Sequence, residues 1–107
     1  MSALEDLTRN YRVAFLRYLP RREEAALTAG YELGRSAVAC GINILELAQV
    51  HHDVLTEMLA ESRDDEVAAV ATAASEFFLE VLATFDMAQR SFLERLAADP
   101  PGGQAAP

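Results

Sequence analysis

The stretch VAAVATAASEFFLEVLATFDMAQRSFLERLAA, residues 67–98, decides the fold. It contains neither glycine nor proline, and its apolar residues recur every three to four positions, the spacing of one helix face. The pattern predicts a single helix of roughly 50 Å at ~1.5 Å per residue. Asp64 or Asp65 is its expected cap, since acidic side chains suit the positive end of a helix dipole. At ~100° per residue, Ala74, Phe77, Phe78, Val81, Phe85, Ala88 and Phe92 share one face, while Leu79, Leu82, Ala83 and Leu93 spread to one side of it. A small bundle covers a stripe ~100° wide, so the surplus predicts a second chain packed on this helix. The alternative is that the extra residues line the core margin, with Leu93 on a fraying end.

Upstream of this stretch, Asn43 can cap a third helix while Glu46 reaches back to the Asn43 amide, with Ile42 and Leu47 placed as a hydrophobic staple. Ile44, Leu47, Ala48, His51, Val54, Leu55, Met58 and Leu59 form its expected inner stripe, ending at Glu61-Ser62-Arg63. A second helix is expected from about Arg22 to Cys40, with Glu23 and Glu24 in its first turn and Gly41 as a left-handed cap. Leu27, Tyr31, Gly34 and Val38 are its expected inner face. Gly30 and Gly34 stand one turn apart in it, each costing ~1 kcal/mol relative to Ala, which predicts close approach of a bulky neighbour such as a Phe of the last helix. A ligand groove is the less favoured explanation.

The first helix is expected over Leu4 to Leu19, on the stripe Leu4, Leu7, Tyr11, Phe15, Tyr18 and Leu19, with Pro20 preventing continuation. No alternating segment or Asn-Gly turn suggests a sheet. The expectation is therefore an all-α protein, an antiparallel four-helix bundle with a long last helix over residues 1–98. Residues 99–107, DPPGGQAAP, read as a flexible tail or linker.

Composition narrows the function. Hydrophobic residues make up 51% and charged residues 24% of 107, which fits a folded domain rather than a disordered one. No run of 18 apolar residues occurs, and Arg9, Arg12 and Arg17 interrupt the start where a secretory leader would be apolar, so a cytoplasmic protein without a membrane span is expected. The single cysteine, Cys40, agrees with a reducing compartment and is expected to serve packing. The net charge of −8 argues against nucleic acid and anionic lipid as partners. Five of the nine basic residues fall within residues 1–22, so a basic first helix is expected to neutralise an acidic body.

No reaction finds a full set of actors. Adjacent residues on a helix diverge by ~100°, so His51 and His52 cannot chelate one ion together, and no partner stands at metal-ligand spacing. His51 falls on the inner stripe and is expected to be a hydrogen-bonded core histidine; a small-ligand or metal sensor using His51 is the alternative function. The serines lack a nucleophile-elbow context, no glycine-rich phosphate loop occurs, and the acidic pairs fit helix starts. Neither catalytic residues, metal nor cofactor is expected.

Four segments carry a resemblance. Ala29-Gly30-Tyr31-Glu32-Leu33-Gly34-Arg35, then Gly41-Ile42-Asn43-Ile44-Leu45-Glu46-Leu47 and Val50-His51-His52, followed by Phe77-Phe78-Leu79-Glu80-Val81-Leu82 to Asp86-Met87-Ala88, resemble the N-terminal domain family of the phosphoserine phosphatase RsbU. The likeness covers roughly Tyr11 to Leu96. It implies a helical domain that dimerises, related to the C-terminal domain of the clock protein KaiA, and that recruits a switch kinase of the RsbT type. In the family this activates an attached metal-dependent phosphatase in a partner-switching cascade that frees a stress sigma factor. No phosphatase domain follows within the 107 residues, so the docking function alone is carried over. By analogy the partner surface comprises Glu24, Thr28, Leu79 and Ala83. Leu82, Phe85 and Leu93 are the expected dimer contacts, taken from the wide apolar stripe and not from the family.

Overall fold

The structure is a computed structural model and describes residues 2–98. The expected tail at 99–107 lies outside the described residues. Four helices form: α1 (Ala3–Arg21), α2 (Glu24–Ala39), α3 (Ile44–Glu61) and α4 (Val67–Ala98). The protein is an all-α helical bundle, and α4, at 32 residues, outruns α1 and α2 by a dozen residues or more.

The ends of the helices follow local chemistry. Asn43 Oδ1 accepts the Glu46 N–H at 2.9 Å while Glu46 Oε1 accepts the Asn43 N–H at 3.0 Å, the predicted capping box. Ser2 and Glu5 make the same reciprocal pair at the start of α1. Gly41 closes α2 at φ +76°, a conformation that favours glycine.

Two boundaries differ from expectation. Pro20 sits inside the last turn of α1 instead of ending it. It removes one donor only, and Arg22, left-handed at φ 53°, closes the helix by donating its N–H to Tyr18 O at 2.7 Å. Neither Asp64 nor Asp65 caps α4. The chain enters through a 3₁₀ turn, Asp64–Glu66, where Glu66 Oε1 takes the Arg63 N–H at 2.9 Å.

Side-chain contacts set the directions of the helices. Tyr11 lies opposite His51 and Arg12 opposite Glu57, so α1 and α3 run the same way. Gly30 meets Phe77 and Gly34 meets Thr84, so α2 and α4 also run the same way, against the other two. The chain reverses at each connection as expected. The tightest pairing, however, is the parallel α2–α4 pair and not one between sequence neighbours. Its cause is the glycine pair. A Cβ on Gly30 would come within 3.1 Å of the Phe77 ring, and one on Gly34 would overlap Thr84 Oγ1 and stand 2.7 Å from the Phe85 nitrogen.

This seam rotates α2 from its expected orientation. Its buried residues are Gly30, Leu33, Gly34 and Ala37, whereas Tyr31 is exposed and Leu27 and Val38 are half-buried. The glycines lie at the contact's centre, which shifts the inner stripe by about one position. On α3, Val50 is buried and Ile44 is exposed, because Ile44 opens the helix at the bundle end where Leu4 of α1 is also uncovered.

Phe77 is the hub of the core. It is fully buried, with the rings of Tyr11, Phe15 and Tyr18 centred 5.3, 5.7 and 5.6 Å away. Burial of each such ring contributes about 1.5–3 kcal/mol, and edge-on pairs such as Tyr11–Phe77 add about 0.5–1.5 kcal/mol. The segment Asp64–Ala98 is long and apolar enough to cross a membrane by length and composition alone. In this fold its face from Val70 to Phe85 is sealed against the other helices.

Candidate docking surface

The four expected partner-contact residues are all exposed. Glu24 and Thr28 stand one turn apart on α2, where the Thr28 hydroxyl donates to Glu24 O at 3.2 Å. They line a shallow cleft with Glu32 of the same helix and Glu80 of α4. Leu79 is 64% exposed, and Ala83 lies one turn further on. Both occupy the flank of α4 next to Glu80, at about 100° and 60° around the helix from it. A greasy flank therefore borders an acidic cleft.

The three expected dimer residues separate. Leu93 is 55% exposed, and Leu82 is half-buried against the core. Phe85 is corrected: at 2% exposure it is sealed inside its own chain and offers no surface. It lies on the side of α4 that faces the glycine seam, where its backbone nitrogen approaches Gly34. Phe92, expected on the core face, is also displaced to the surface at 46% exposure, because α4 continues past the end of α2.

Charge is partly neutralised across helices. Arg12 of α1 pairs with Glu57 of α3 at 3.0 Å, and Arg22 reaches Glu76 of α4 at 3.5 Å and donates to Ala69 O at 3.0 Å. The Tyr18 hydroxyl donates to the same Glu76 carboxylate at 3.0 Å; burial and that carboxylate push its pKa above the ordinary tyrosine value. Arg9 stays within its own helix, pairing with Asp6 at 2.8 Å.

His51 is half-buried and engaged on two sides. Its Nδ1 shares a 2.8 Å hydrogen bond with the Tyr11 hydroxyl, and its ring stacks on Phe78 with centroids 4.0 Å apart and planes 5° from parallel. Burial, with His52 adding to it, holds the imidazole below its ordinary pKa. Desolvation pushes the Tyr11 hydroxyl far upward, so it stays a phenol. Among the described residues no three His, Cys, Asp or Glu side chains gather as a metal-ligand set. Cys40, expected to pack, is instead exposed at the end of α2.

The fold is thus an all-helical bundle domain with its apolar surplus on α4. Residues 9–88 match the family described as phosphoserine phosphatase RsbU, N-terminal domain, and the chain belongs to that family. The matched part is the regulatory domain of partner-switching signalling and not the phosphatase catalytic domain. Comparison with curated proteins returned no match, and neither did comparison with solved structures.

Proposed function

We propose that the chain is a non-catalytic docking module that dimerises and recruits a switch kinase of the RsbT type in bacterial stress signalling, acting in the cytoplasm. One observation carries the reading: Leu79 is 64% exposed on α4, bordered by Ala83 and the Glu24, Thr28 and Glu80 rim. A large apolar side chain held out beside a charged rim is the composition of an interface whose partner contributes an apolar knob and basic residues. Glu24, Thr28, Leu79 and Ala83 form the kinase surface in this reading. Leu82 and Leu93, on the neighbouring flank, form the contact between two copies. His51 is committed to Tyr11 and Phe78, which leaves a sensor role for it without support.

Light scattering of the purified chain, with pull-down against an RsbT-type kinase, tests this. Leu93→Asp is expected to yield monomers, and Leu79→Asp to abolish kinase capture, both with unchanged circular dichroism. A wild-type monomer that captures no kinase overturns the proposal.

A further inference from the structure

The core side of α4 does not stop where the bundle stops. Val70, Ala74, Phe77, Val81 and Phe85 face inward, and the same helical stripe continues as Ala88, Ser91, Phe92 and Arg95. α2 ends at Ala39, so these later residues have no helix over them. They bound a groove of about 570 Å³ whose other wall is the second half of α2, with Tyr31 and Arg35. Met87 at 60% and Phe92 at 46% exposure make it greasy.

Its charge is the reverse of the molecule's net charge. The protein has 17 acidic residues and a net charge of −8, yet among the described residues not one Asp or Glu lines this groove. Its two ionic side chains are Arg35 and Arg95, and neither takes part in the ion pairs found among the described residues. Most other arginines are paired: Arg9, Arg12, Arg21, Arg22, Arg63 and Arg90 each meet a carboxylate. Two cations without a carboxylate partner among the described residues, flanking an apolar trough on an acidic protein, select a negatively charged occupant.

We propose that this groove binds an acidic amphipathic helix of a partner protein, which lays its apolar face on Phe92 and Met87 and sets carboxylates against Arg35 and Arg95. The small residues Ala88 and Ser91 let a helix approach α4 closely, as the glycines of α2 do further up. The occupied stretch of α4 is about ten residues, so roughly three turns of helix fill it. A second copy of this chain is the alternative occupant, and the effect of Phe92→Ser on self-association separates the two. The groove adjoins the acidic cleft of the proposed function at Tyr31, which lines both, but Phe92 and Arg95 lie about 140° and 160° around α4 from Leu79.

The probe is a hydrocarbon-stapled synthetic peptide of three to four turns with leucines on one face and glutamates on the other. Its control carries lysine at every glutamate. Fluorescence anisotropy is expected to show the acidic peptide binding at least about tenfold more tightly than the control, and less tightly as salt is raised. Arg35→Glu with Arg95→Glu is expected to erase that preference, and Phe92→Ser to weaken both peptides. Both changes are at exposed positions, and circular dichroism verifies the fold. Leu79→Asp is expected to leave peptide binding unchanged, so this site and the docking surface fail or stand separately. Equal affinity for the two peptides, or full acidic preference in the double variant, overturns the proposal. So does loss of self-association on Phe92→Ser, which makes the groove a contact between copies.

Discussion

Gly34 and Thr84 are packed so closely that a methyl group on the glycine would occupy the space of the threonine hydroxyl oxygen. Thr84 has little room to yield, since its hydroxyl donates to Val81 O at 3.1 Å. Backbone stands behind it as well, with Val81 O at 2.5 Å and the Phe85 nitrogen at 2.7 Å from the same point. Gly34→Ala adds ~1 kcal/mol of helix propensity. Forcing the helices apart costs more, so a net loss of about 1–3 kcal/mol is expected in urea unfolding. Gly30→Ala meets only the edge of the Phe77 ring at 3.1 Å and the Val81 side chain at 3.4 Å, and should fall within about 1 kcal/mol of wild type.

The His51 site gives stability a pH dependence. Its folded-state pKa lies below the ordinary 6.5, so the unfolded chain takes up a proton first as pH falls. The contribution is complete above 6.5 and is lost as pH drops through 6.5 toward the lower folded value. His51→Gln should flatten this part of the profile. The check is the difference in urea midpoint between variant and wild type at about pH 7.5 and about pH 5.5, which cancels the titration of the carboxylates both share.

Tyr11→Phe deletes the hydroxyl that meets His51 Nδ1 and leaves the ring packing on Phe77 intact. A loss of about 0.5–1.5 kcal/mol is expected from chemical denaturation, with the fold unchanged.

Phe85 and Leu93 were both expected at a dimer contact and now separate by burial, 2% against 55%. Phe85→Ala should destabilise the chain by about 3–5 kcal/mol through a core cavity. Leu93→Ala should change unfolding of the monomer by less than about 0.5 kcal/mol, its effect appearing in association instead.

Asn43→Ala removes the acceptor for the Glu46 N–H and should cost about 1 kcal/mol, read as a lower thermal midpoint. Ser2→Ala, at the matching capping box of α1, should cost about the same.

Features written in local chemistry were legible in the sequence. The Asn43 and Glu46 pair, the length of α4 and the purpose of Gly30 and Gly34 each depend on residues a few positions apart or on a residue type with a narrow use. The rotation of α2 was not legible, because the position of its glycines on the contact is set by α4. Pro20 misled because its cost depends on how many ladder bonds remain beyond it, and the left-handed Arg22 leaves almost none. Phe85 and Phe92 lie one heptad apart on the same helix. One is core and the other surface only because α2 stops between them, a fact of tertiary register. For the docking surface, exposure of Leu79 followed from the wide stripe, whereas the groove beside Phe92 depends on two helices that are distant in sequence.

The tightest seam in the molecule joins partners roughly fifty positions apart along the chain. During synthesis the glycine trough of α2 therefore waits, uncovered, until residues 77–85 have left the ribosome. Folding should be slow to commit, with the final zippering gated by the arrival of the longest helix. Variants that strain this junction are then expected to leave a nascent chain exposed for longer, so the yield of intact protein in cells should fall further than equilibrium stability alone predicts.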